Sequence, residues 1–307
     1  MIISKCPLRV SLIGGSTDLQ PFLDKYEWGG VVSFPINLYT YIHLKNRKNK
    51  YKISYSSIEV TNSISEIKND IAREVLSYFN CPPVEISFTA DIPSHGSGLA
   101  SSSSYMIGLI AAVSEYVKSD ISRQEMCDIA IKLERKFNKL TGYQDPYGCG
   151  IGGIKKMIFN KNGNTTIQYL DNSLFREYDL YLISTNKIRT STDILSSINI
   201  DSVYPIRNLL EQCDSIISSN VVNLLNESWK LKKQSSKSII DKELESIESK
   251  ITELKFVKGY KLCGAGGGGY FLIITEKGID ISNYFDNIIK ITVDKNGVET
   301  DYLWKYY

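Results

Sequence analysis

A glycine- and serine-rich segment, residues 93–104, reads Pro-Ser-His-Gly-Ser-Gly-Leu-Ala-Ser-Ser-Ser-Ser and runs directly into an apolar helical pattern. Successive backbone N–H groups in such a loop, at the start of a helix, form a binding site for anions such as phosphate. Serine hydroxyls there can also coordinate the magnesium that accompanies a nucleotide. The segment lacks the Gly-Lys-Ser/Thr ending of a Walker A loop and the Gly-x-Ser-x-Gly of a nucleophile elbow. It therefore predicts a phosphate-binding loop of a different kind.

Two further glycine clusters allow backbone to approach a ligand closely. In residues 7–18 a strand pattern ends in Gly14-Gly15, with Arg9 and Asp18 on either side. The second cluster, residues 261–271, formally satisfies the dinucleotide-binding pattern GxGxxG. A strand pattern follows these glycines where that motif requires a helix, which excludes the dinucleotide interpretation. A ligand-facing loop between two strands is the better prediction for this cluster.

The elements that must position these loops follow from hydrophobic periodicity. A capping box, Ser122 with Glu125, starts a predicted helix whose apolar face continues to Phe137 and Leu140. Other helices are predicted after the serines, over 205–225, around Trp229 and over 237–254. Strands are predicted at residues 2–13, 31–44, 52–60, 84–90, 155–168 (as a hairpin), 180–184 and 270–275. This mixture predicts an α+β fold with a domain change near residue 175.

Bulk properties exclude several classes of protein. The chain has 307 residues, 42% hydrophobic and 23% charged, with a net charge of +2, so nucleic acid or an anionic membrane is not expected as a partner. No signal peptide or membrane span is predicted. Six scattered cysteines indicate reduced thiols in a cytoplasmic protein. With only His43 and His95, a histidine-based zinc site is not expected.

Together, the three segments resemble the GHMP kinases, the superfamily of galactokinase, homoserine kinase and mevalonate kinase. The likeness spans nearly the whole chain and is greatest for bacterial heptose 7-phosphate kinases, as in Gly-Gly-Ser-Thr-Asp at 14–18, Gln144-Asp145 and Cys-Gly-Ala-Gly-Gly-Gly-Gly at 263–269. It implies a ribosomal-protein-S5-like N-terminal domain over 1–175 and a ferredoxin-like domain over 176–307. It also implies ATP and Mg²⁺ as cofactors and a small sugar or sugar phosphate as substrate.

The resemblance assigns roles to the matching residues. Asp145 matches a catalytic base and Arg9 an arginine near the transferred phosphoryl group, while Ser102 and Glu134 match residues that contact magnesium. The ATP phosphates would be held by Gly96, Ser97, Gly98, Leu99, Ala100, Ser101, Ser102 and Ser103. The substrate would be held by Gly14, Gly15, Ser16, Thr17, Asp18, Gly264, Ala265, Gly266 and Gly267. Ala100 departs from the family, which most often has glycine at that position.

A substrate that already carries phosphate needs a cation away from the ATP site. Arg189 is the preferred candidate, and the other available cations are Lys155, Lys156, Lys232 and Lys233. The predicted reaction is phosphorylation of the anomeric hydroxyl of a heptose 7-phosphate. Three alternatives stay open: a galactokinase-like or fucokinase-like enzyme, an ATP-dependent decarboxylase of a phosphorylated mevalonate, and a non-catalytic sugar sensor on a kinase fold.

Overall fold

The computed structural model of the protein describes residues 1–93, 96–188, 191–217 and 219–303. Over these ranges the chain forms two β-sheets with helices packed against them. Arg189, the preferred cation for a substrate phosphate, lies outside the described residues. The α+β class predicted from the sequence is confirmed.

The larger sheet is built from eight strands within the described ranges, in the order β12-β1-β2-β5-β3-β4, with β6 on β2 and β7 on β6. Its strands are β1 (Ile2–Gly14), β2 (Trp28–Asn46), β3 (Tyr51–Ser54), β4 (Ile58–Thr61), β5 (Val84–Ala90), β6 (Lys155–Asn160), β7 (Thr165–Tyr169) and β12 (Glu299–Tyr302). Pairing is antiparallel except between β3 and β5. The register of β1 against β2 shifts between Pro7 and Arg9. Such a bulge re-aims side chains, and Arg9 is the side chain placed there.

The smaller sheet, four strands within the described ranges, has the order β11-β8-β10-β9. These strands are β8 (Tyr178–Ser184), β9 (Val257–Leu262), β10 (Tyr270–Glu276) and β11 (Ile288–Ile291). Leu182 and Leu272 of this sheet share one hydrophobic cluster with Leu8, Val10 and Leu12 of β1. The two sheets are therefore joined through a common core, and the glycine loop between β9 and β10 is held close to β1.

The helix that follows the serine-rich segment and the helix with the predicted capping box begin in different ways. The helix α3 (Ser101–Val117) starts at Ala100 without a side-chain cap. The helix α4 (Arg123–Glu134) has the predicted capping box, in which Ser122 and Glu125 exchange hydrogen bonds. The remaining helices are α1 (Gln20–Tyr26), α2 (Asp70–Tyr78), α5 (Gln144–Gly150), α6 (Ser191–Ser196), α7 (Tyr204–Gln212), α8 (Val221–Ser235) and α9 (Lys242–Thr252).

Several element boundaries differ from the prediction. Helix α4 ends at Glu134, so the loop beyond it carries Phe137 and Leu140. One continuous helix was predicted over residues 205–225 and a short one around Trp229. The structure instead has α7, then a short 3₁₀ helix, Cys213–Ser215, and then α8, which contains Trp229. The predicted strand 52–60 is instead the hairpin of β3 and β4. In each case the apolar residues keep their periodic spacing beyond the point where the helix or strand ends, so the spacing alone does not show the boundary.

The predicted division at residue 175 stays a proposal. The change of sheet between β7 and β8 supports it, because residues 170–177 connect the two sheets. Strand β12, however, returns to pair with β1, so the end of the chain contributes to the first sheet. Within the described ranges, no helix has the length and apolar character needed to cross a membrane.

Candidate active site

A cavity of about 340 Å³ lies where β1, the start of α3, α5 and the glycine loop after β9 meet. It is of the size that binds small ligands. Its wall takes residues from all three glycine segments that the sequence singled out, although these are far apart along the chain. The structure therefore brings together the loops on which the sequence prediction depended.

The predicted phosphate loop forms one wall of this cavity. Of residues 96–103, all but Leu99 line it. Leu99 is buried in the core instead, and its carbonyl accepts a hydrogen bond from the backbone N–H of Arg9 at 3.1 Å. Because no side chain caps α3, the N–H groups of its first turn are available to an anion.

Ala100 adopts the left-handed backbone conformation, with φ of 63° and ψ of 39°. This conformation costs a residue with a Cβ about 1 kcal/mol or more. Gly96 and Gly98 in the same loop also have positive φ, 69° and 74°. The described part of the loop therefore has positive φ at three positions, and of these only position 100 carries a Cβ and its strain.

Arg9 and Asp145 form an ion pair inside the cavity. The guanidinium is 3% exposed and the carboxylate 33%. Arg9 donates from Nε (3.0 Å) and Nη2 (2.6 Å) to the same atom, Asp145 Oδ1, and from Nη1 to the carbonyl of Gly98 at 2.9 Å. No hydrogen bond from a described residue engages Asp145 Oδ2. Arg9 thus ties the carboxylate to the phosphate loop and leaves one carboxylate oxygen open to a ligand.

The pKa of Arg9 reflects two opposing effects. Burial would lower it, but the Asp145 carboxylate beside it raises the pKa above the ordinary arginine value. The guanidinium is therefore charged at every accessible pH. A permanent positive charge is thus held against the Asp145 carboxylate, which Arg9 contacts through Oδ1.

Glu134, at the end of α4, is the second acidic side chain facing the phosphate loop. Ser102 donates to its Oε1 at 3.1 Å and Ser103 to its Oε2 at 2.8 Å. Burial is the main cause that raises the pKa of Glu134 to about 7, and the charge of Asp145 adds to this. Its only described partners are hydroxyls, so its environment favours an added cation.

These oxygens fit magnesium. Carboxylate and hydroxyl oxygens are the ligands that Mg²⁺ prefers, and it is usually held by one or two protein groups together with substrate phosphates. Within the described part of the chain, no cluster of three or more acidic, histidine or cysteine side chains offers a metal site made of protein alone. Glu134 and Ser102 would therefore hold the ion jointly with a nucleotide.

The turn at residues 14–18 divides into a part that faces the cavity and a part that supports it. Gly15, Ser16 and Asp18 line the cavity. Thr17 is buried and its hydroxyl donates to the carbonyl of Gly30 at 2.8 Å. A Cβ at Gly14 would lie 2.4 Å from that same carbonyl oxygen, so only glycine fits there. Gly14 and Thr17 thus hold the turn in place rather than lining the cavity.

Asp18 is fully buried and bonded to the helix that carries Asp145. Its Oδ2 accepts the backbone N–H of Gln144 at 3.0 Å, and its Oδ1 accepts the Gln144 side-chain Nε2 at 3.1 Å. Burial raises the pKa of Asp18 to about 6 despite these bonds. Gly142 is required beside it, because a Cβ there would lie 2.1 Å from Asp18 Oδ2. The described contacts of this carboxylate are therefore those of a cap on α5.

The third glycine loop, between β9 and β10, contributes unevenly. Gly264 and Ala265 line the cavity, whereas Gly266 packs against Ile239 and Gly267 against Ile194, away from the wall. Farther along the loop, Gly269 lies directly on the phosphate loop, since a Cβ there would be 2.3 Å from the carbonyl oxygen of Ser97. The loop therefore backs the phosphate site, and only its first two predicted residues face the ligand space.

The lysine side chains considered for binding a phosphate on the substrate make different contacts. Lys155 is fully buried and donates to the carbonyl of Ile151 at 2.5 Å, just past the end of α5. Lys156 pairs with Asp214, and Lys233 with Glu248. These three side chains are committed to structural contacts. Lys232, on α8, lines the cavity and donates to the carbonyl of Gly264.

The cavity also includes residues that the sequence prediction missed. Gln144 lines it directly before Asp145, and this adjacency in the sequence was the one signal that could have identified it. Ile71 of α2, Tyr105 of α3 and Leu140 lie along the wall as well. They are apolar or aromatic residues outside the glycine motifs, and nothing in the sequence distinguishes them from core residues.

Comparison with known proteins agrees with this geometry. Residues 62–153 match the family described as GHMP kinases N terminal domain, a span that includes the phosphate loop, Glu134 and Asp145. A D-glycero-alpha-D-manno-heptose 7-phosphate kinase of Campylobacter jejuni is 28% identical, covering 90% of this chain and 89% of its own.

Solved structures extend the likeness over the whole chain. A D-glycero-D-manno-heptose 1-phosphate kinase from Bacteroides thetaiotaomicron superposes with a TM-score of 0.79 at 20% identity, covering 100% of both chains. A galactokinase of Lactococcus lactis complexed with galactose gives 0.78 at 15% identity, covering 96% of this chain and 94% of its own. At these identities the likeness establishes the fold. Domain match, fold and loop geometry agree: residues 62–153 match the N-terminal domain of GHMP kinases, and the whole chain has the fold of these solved structures.

Proposed function

We propose that the protein transfers the γ-phosphoryl group of ATP to a sugar hydroxyl, and that its acceptor is the anomeric hydroxyl of a heptose 7-phosphate. The observation that carries the proposal is the Arg9–Asp145 pair, which lines the same cavity as an uncapped helix N-terminus. One feature binds phosphate and the other accepts a proton. Phosphoryl transfer requires little more than these two functions and correct positioning.

The reaction follows from the arrangement. The sugar hydroxyl donates to Asp145 Oδ2, and its proton passes to that oxygen as the hydroxyl oxygen bonds to the γ-phosphorus. The bond between the γ-phosphorus and the β-bridging oxygen breaks, and ADP leaves. Backbone N–H groups of the phosphate loop stabilise the negative charge that develops on the phosphoryl oxygens. Arg9 holds Asp145 in place through Oδ1, so that Oδ2 is left for the hydroxyl.

Magnesium, held by Ser102 and Glu134, would supply charge neutralisation for the ATP phosphates. The protein's own contribution at that position is the orientation of the Glu134 carboxylate by Ser102 and Ser103. These two hydroxyl donors restrict the carboxylate to one geometry, so the phosphate loop and the metal ligands are set by the same two helices, α3 and α4.

The choice of a heptose phosphate is supported by the 28%-identical relative of that activity and by a basic side chain on the cavity wall. Lys232 lies on the described wall, and Arg189 is close in sequence to α6. Both remain proposals for the groups that would bind a phosphate on the sugar.

A direct test is a screen of hexoses, heptoses and their phosphates for ADP release with Mg-ATP. The proposal predicts turnover with D-glycero-D-manno-heptose 7-phosphate and a 1-phosphorylated product identified by NMR. Preference for an unphosphorylated hexose would overturn the heptose phosphate while leaving sugar phosphorylation in place. Release of carbon dioxide from a phosphorylated mevalonate, or no turnover with any sugar, would contradict the kinase proposal itself.

A further inference from the structure

Gln144 lies directly before Asp145, and its side-chain amide is held in one orientation by Asp18. The amide nitrogen Nε2 is 3.1 Å from Asp18 Oδ1, and the Gln144 backbone nitrogen is 3.0 Å from Oδ2. An ionised carboxylate only accepts hydrogen bonds, so the NH₂ group must face Asp18. The carbonyl oxygen Oε1 is therefore turned away from Asp18.

This carbonyl oxygen is an unused acceptor. It is buried, and it has no hydrogen-bond partner among the described residues. Buried polar atoms in folded proteins are nearly always paired, so an exception at a cavity wall points to a ligand that supplies the missing donor. The Gln144 side chain lines the same cavity as Asp145.

The space beside the Gln144 amide is kept open by Gly15. A Cβ built on Gly15 would be 3.7 Å from Gln144 Nε2 and 3.8 Å from Oε1, and its φ of +85° disfavours any side chain. Gly15 also lines the cavity. A ligand can thus approach the amide across bare backbone, which explains a glycine at this position of the turn.

We propose that Gln144 Oε1 accepts a hydrogen bond from the sugar hydroxyl next to the one that is phosphorylated, and that this contact selects acceptors with a free hydroxyl there. The inference rests on the proposed function. Asp145 and Gln144 are consecutive residues, and they offer two acceptors to one cavity. A sugar offers two donors on neighbouring carbons. For phosphorylation at the anomeric position, the hydroxyl read by Gln144 is that on carbon 2.

A purely structural role makes a different prediction. If Gln144 only completed the cap formed by Asp18, its loss would lower activity with every acceptor by the same factor. If Oε1 binds the carbon-2 hydroxyl, its loss must matter most for acceptors that carry that hydroxyl. A double-mutant cycle, in which the Gln144 side chain and the carbon-2 hydroxyl are removed separately and together, distinguishes the two cases. The two losses are independent if the role is structural, and they are coupled if Oε1 binds the hydroxyl.

The experiment compares wild type and Gln144→Met with D-glycero-D-manno-heptose 7-phosphate and its 2-deoxy analogue, at pH 8, where Asp18 is ionised. Wild type is expected to prefer the parent sugar about 10- to 100-fold in kcat/KM, the range for leaving a buried acceptor unpaired. In Gln144→Met this preference should fall below about threefold. The KM for ATP should stay within about twofold of wild type.

Gln168→Met is the matched control, because Gln168 is exposed on β7 and does not line the cavity. It should keep the wild-type preference for the parent sugar. Undiminished preference in Gln144→Met, or equal use of both sugars by wild type, overturns the inference and leaves the proposed function intact. If no sugar supports ADP release by wild type, the proposed function fails and this inference fails with it.

Discussion

Two carboxylates face the same phosphate loop, and their surroundings differ. Asp145 is paired with a permanently charged guanidinium and keeps one oxygen open to the cavity. Glu134 is deeply buried, its described partners are two serine hydroxyls, and burial raises its pKa to about 7. The first environment suits a group that accepts a proton from a substrate. The second suits a group that binds a cation, so partners rather than residue type distinguish the two roles.

The largest expected effect follows from removing the proton acceptor. Asp145→Asn keeps the side-chain shape and one oxygen for Arg9 but is a very poor base. Turnover should fall by about 10²- to 10⁴-fold, the range for a lost general base. Steady-state ADP release with the best acceptor measures this change, and circular dichroism verifies the fold. Turnover within about threefold of wild type would remove Asp145 from the chemistry.

A second effect concerns Asp18, whose pKa burial raises to about 6 from an ordinary value near 4. Because the folded protein binds this proton more tightly, Asp18 contributes stability below about pH 4 that is lost as pH rises through about 6. Asp18→Asn removes this dependence. The free energy of unfolding of the variant, relative to wild type, should therefore rise by up to about 3 kcal/mol between pH 4 and pH 7.

Urea unfolding of both proteins across that pH range measures the difference. Asp18→Asn also changes the hydrogen bonds to Gln144, which shifts the stability of the variant, so the change of the stability difference with pH is the informative quantity. A difference between variant and wild type that is constant from pH 4 to pH 7 would show that Asp18 does not carry the raised pKa.

A smaller effect separates two neighbouring serines on α3. Ser102 is exposed to the cavity and bonds to Glu134, whereas Ser104 is buried and donates to the carbonyl of Cys6 at 2.9 Å. Ser102→Ala should raise the magnesium concentration for half-maximal activity and lower turnover by about tenfold. Ser104→Ala should lower stability by about 1 kcal/mol with little change in magnesium requirement. Equal magnesium dependence in the two variants would exclude Ser102 from the metal site.

The sequence was most informative where chemistry depends on contiguous residues. The phosphate loop and the Gly14–Asp18 turn could be read directly, because backbone cradles need small residues such as glycine and serine in a row. Burial could not be read in this way. Asp18 was predicted to bind sugar hydroxyls, yet both its oxygens bond to Gln144, which makes sugar binding by Asp18 itself the weaker proposal.

Other misjudged features have the same cause. Lys155 was considered for a substrate phosphate, but its ammonium group lies in the core against carbonyls near the end of α5. The prediction that α4 continues to Leu140 was wrong, because the end of a helix depends on capping and packing. The apolar spacing of Phe137 and Leu140 persists in the loop beyond Glu134. Tertiary contacts between distant segments decide such features, and a single sequence does not specify them.

The comparison of the two carboxylates is tested most directly by the affinity for Mg-ATP of Asp145→Asn and Glu134→Gln, measured by isothermal titration calorimetry. If Asp145 acts on the acceptor hydroxyl, Asp145→Asn should bind Mg-ATP within about threefold of wild type while its turnover collapses. If Glu134 holds the ion, Glu134→Gln should bind Mg-ATP about tenfold or more weakly, and excess magnesium should restore part of the loss. Equal weakening in both variants would contradict the division of roles between Asp145 and Glu134.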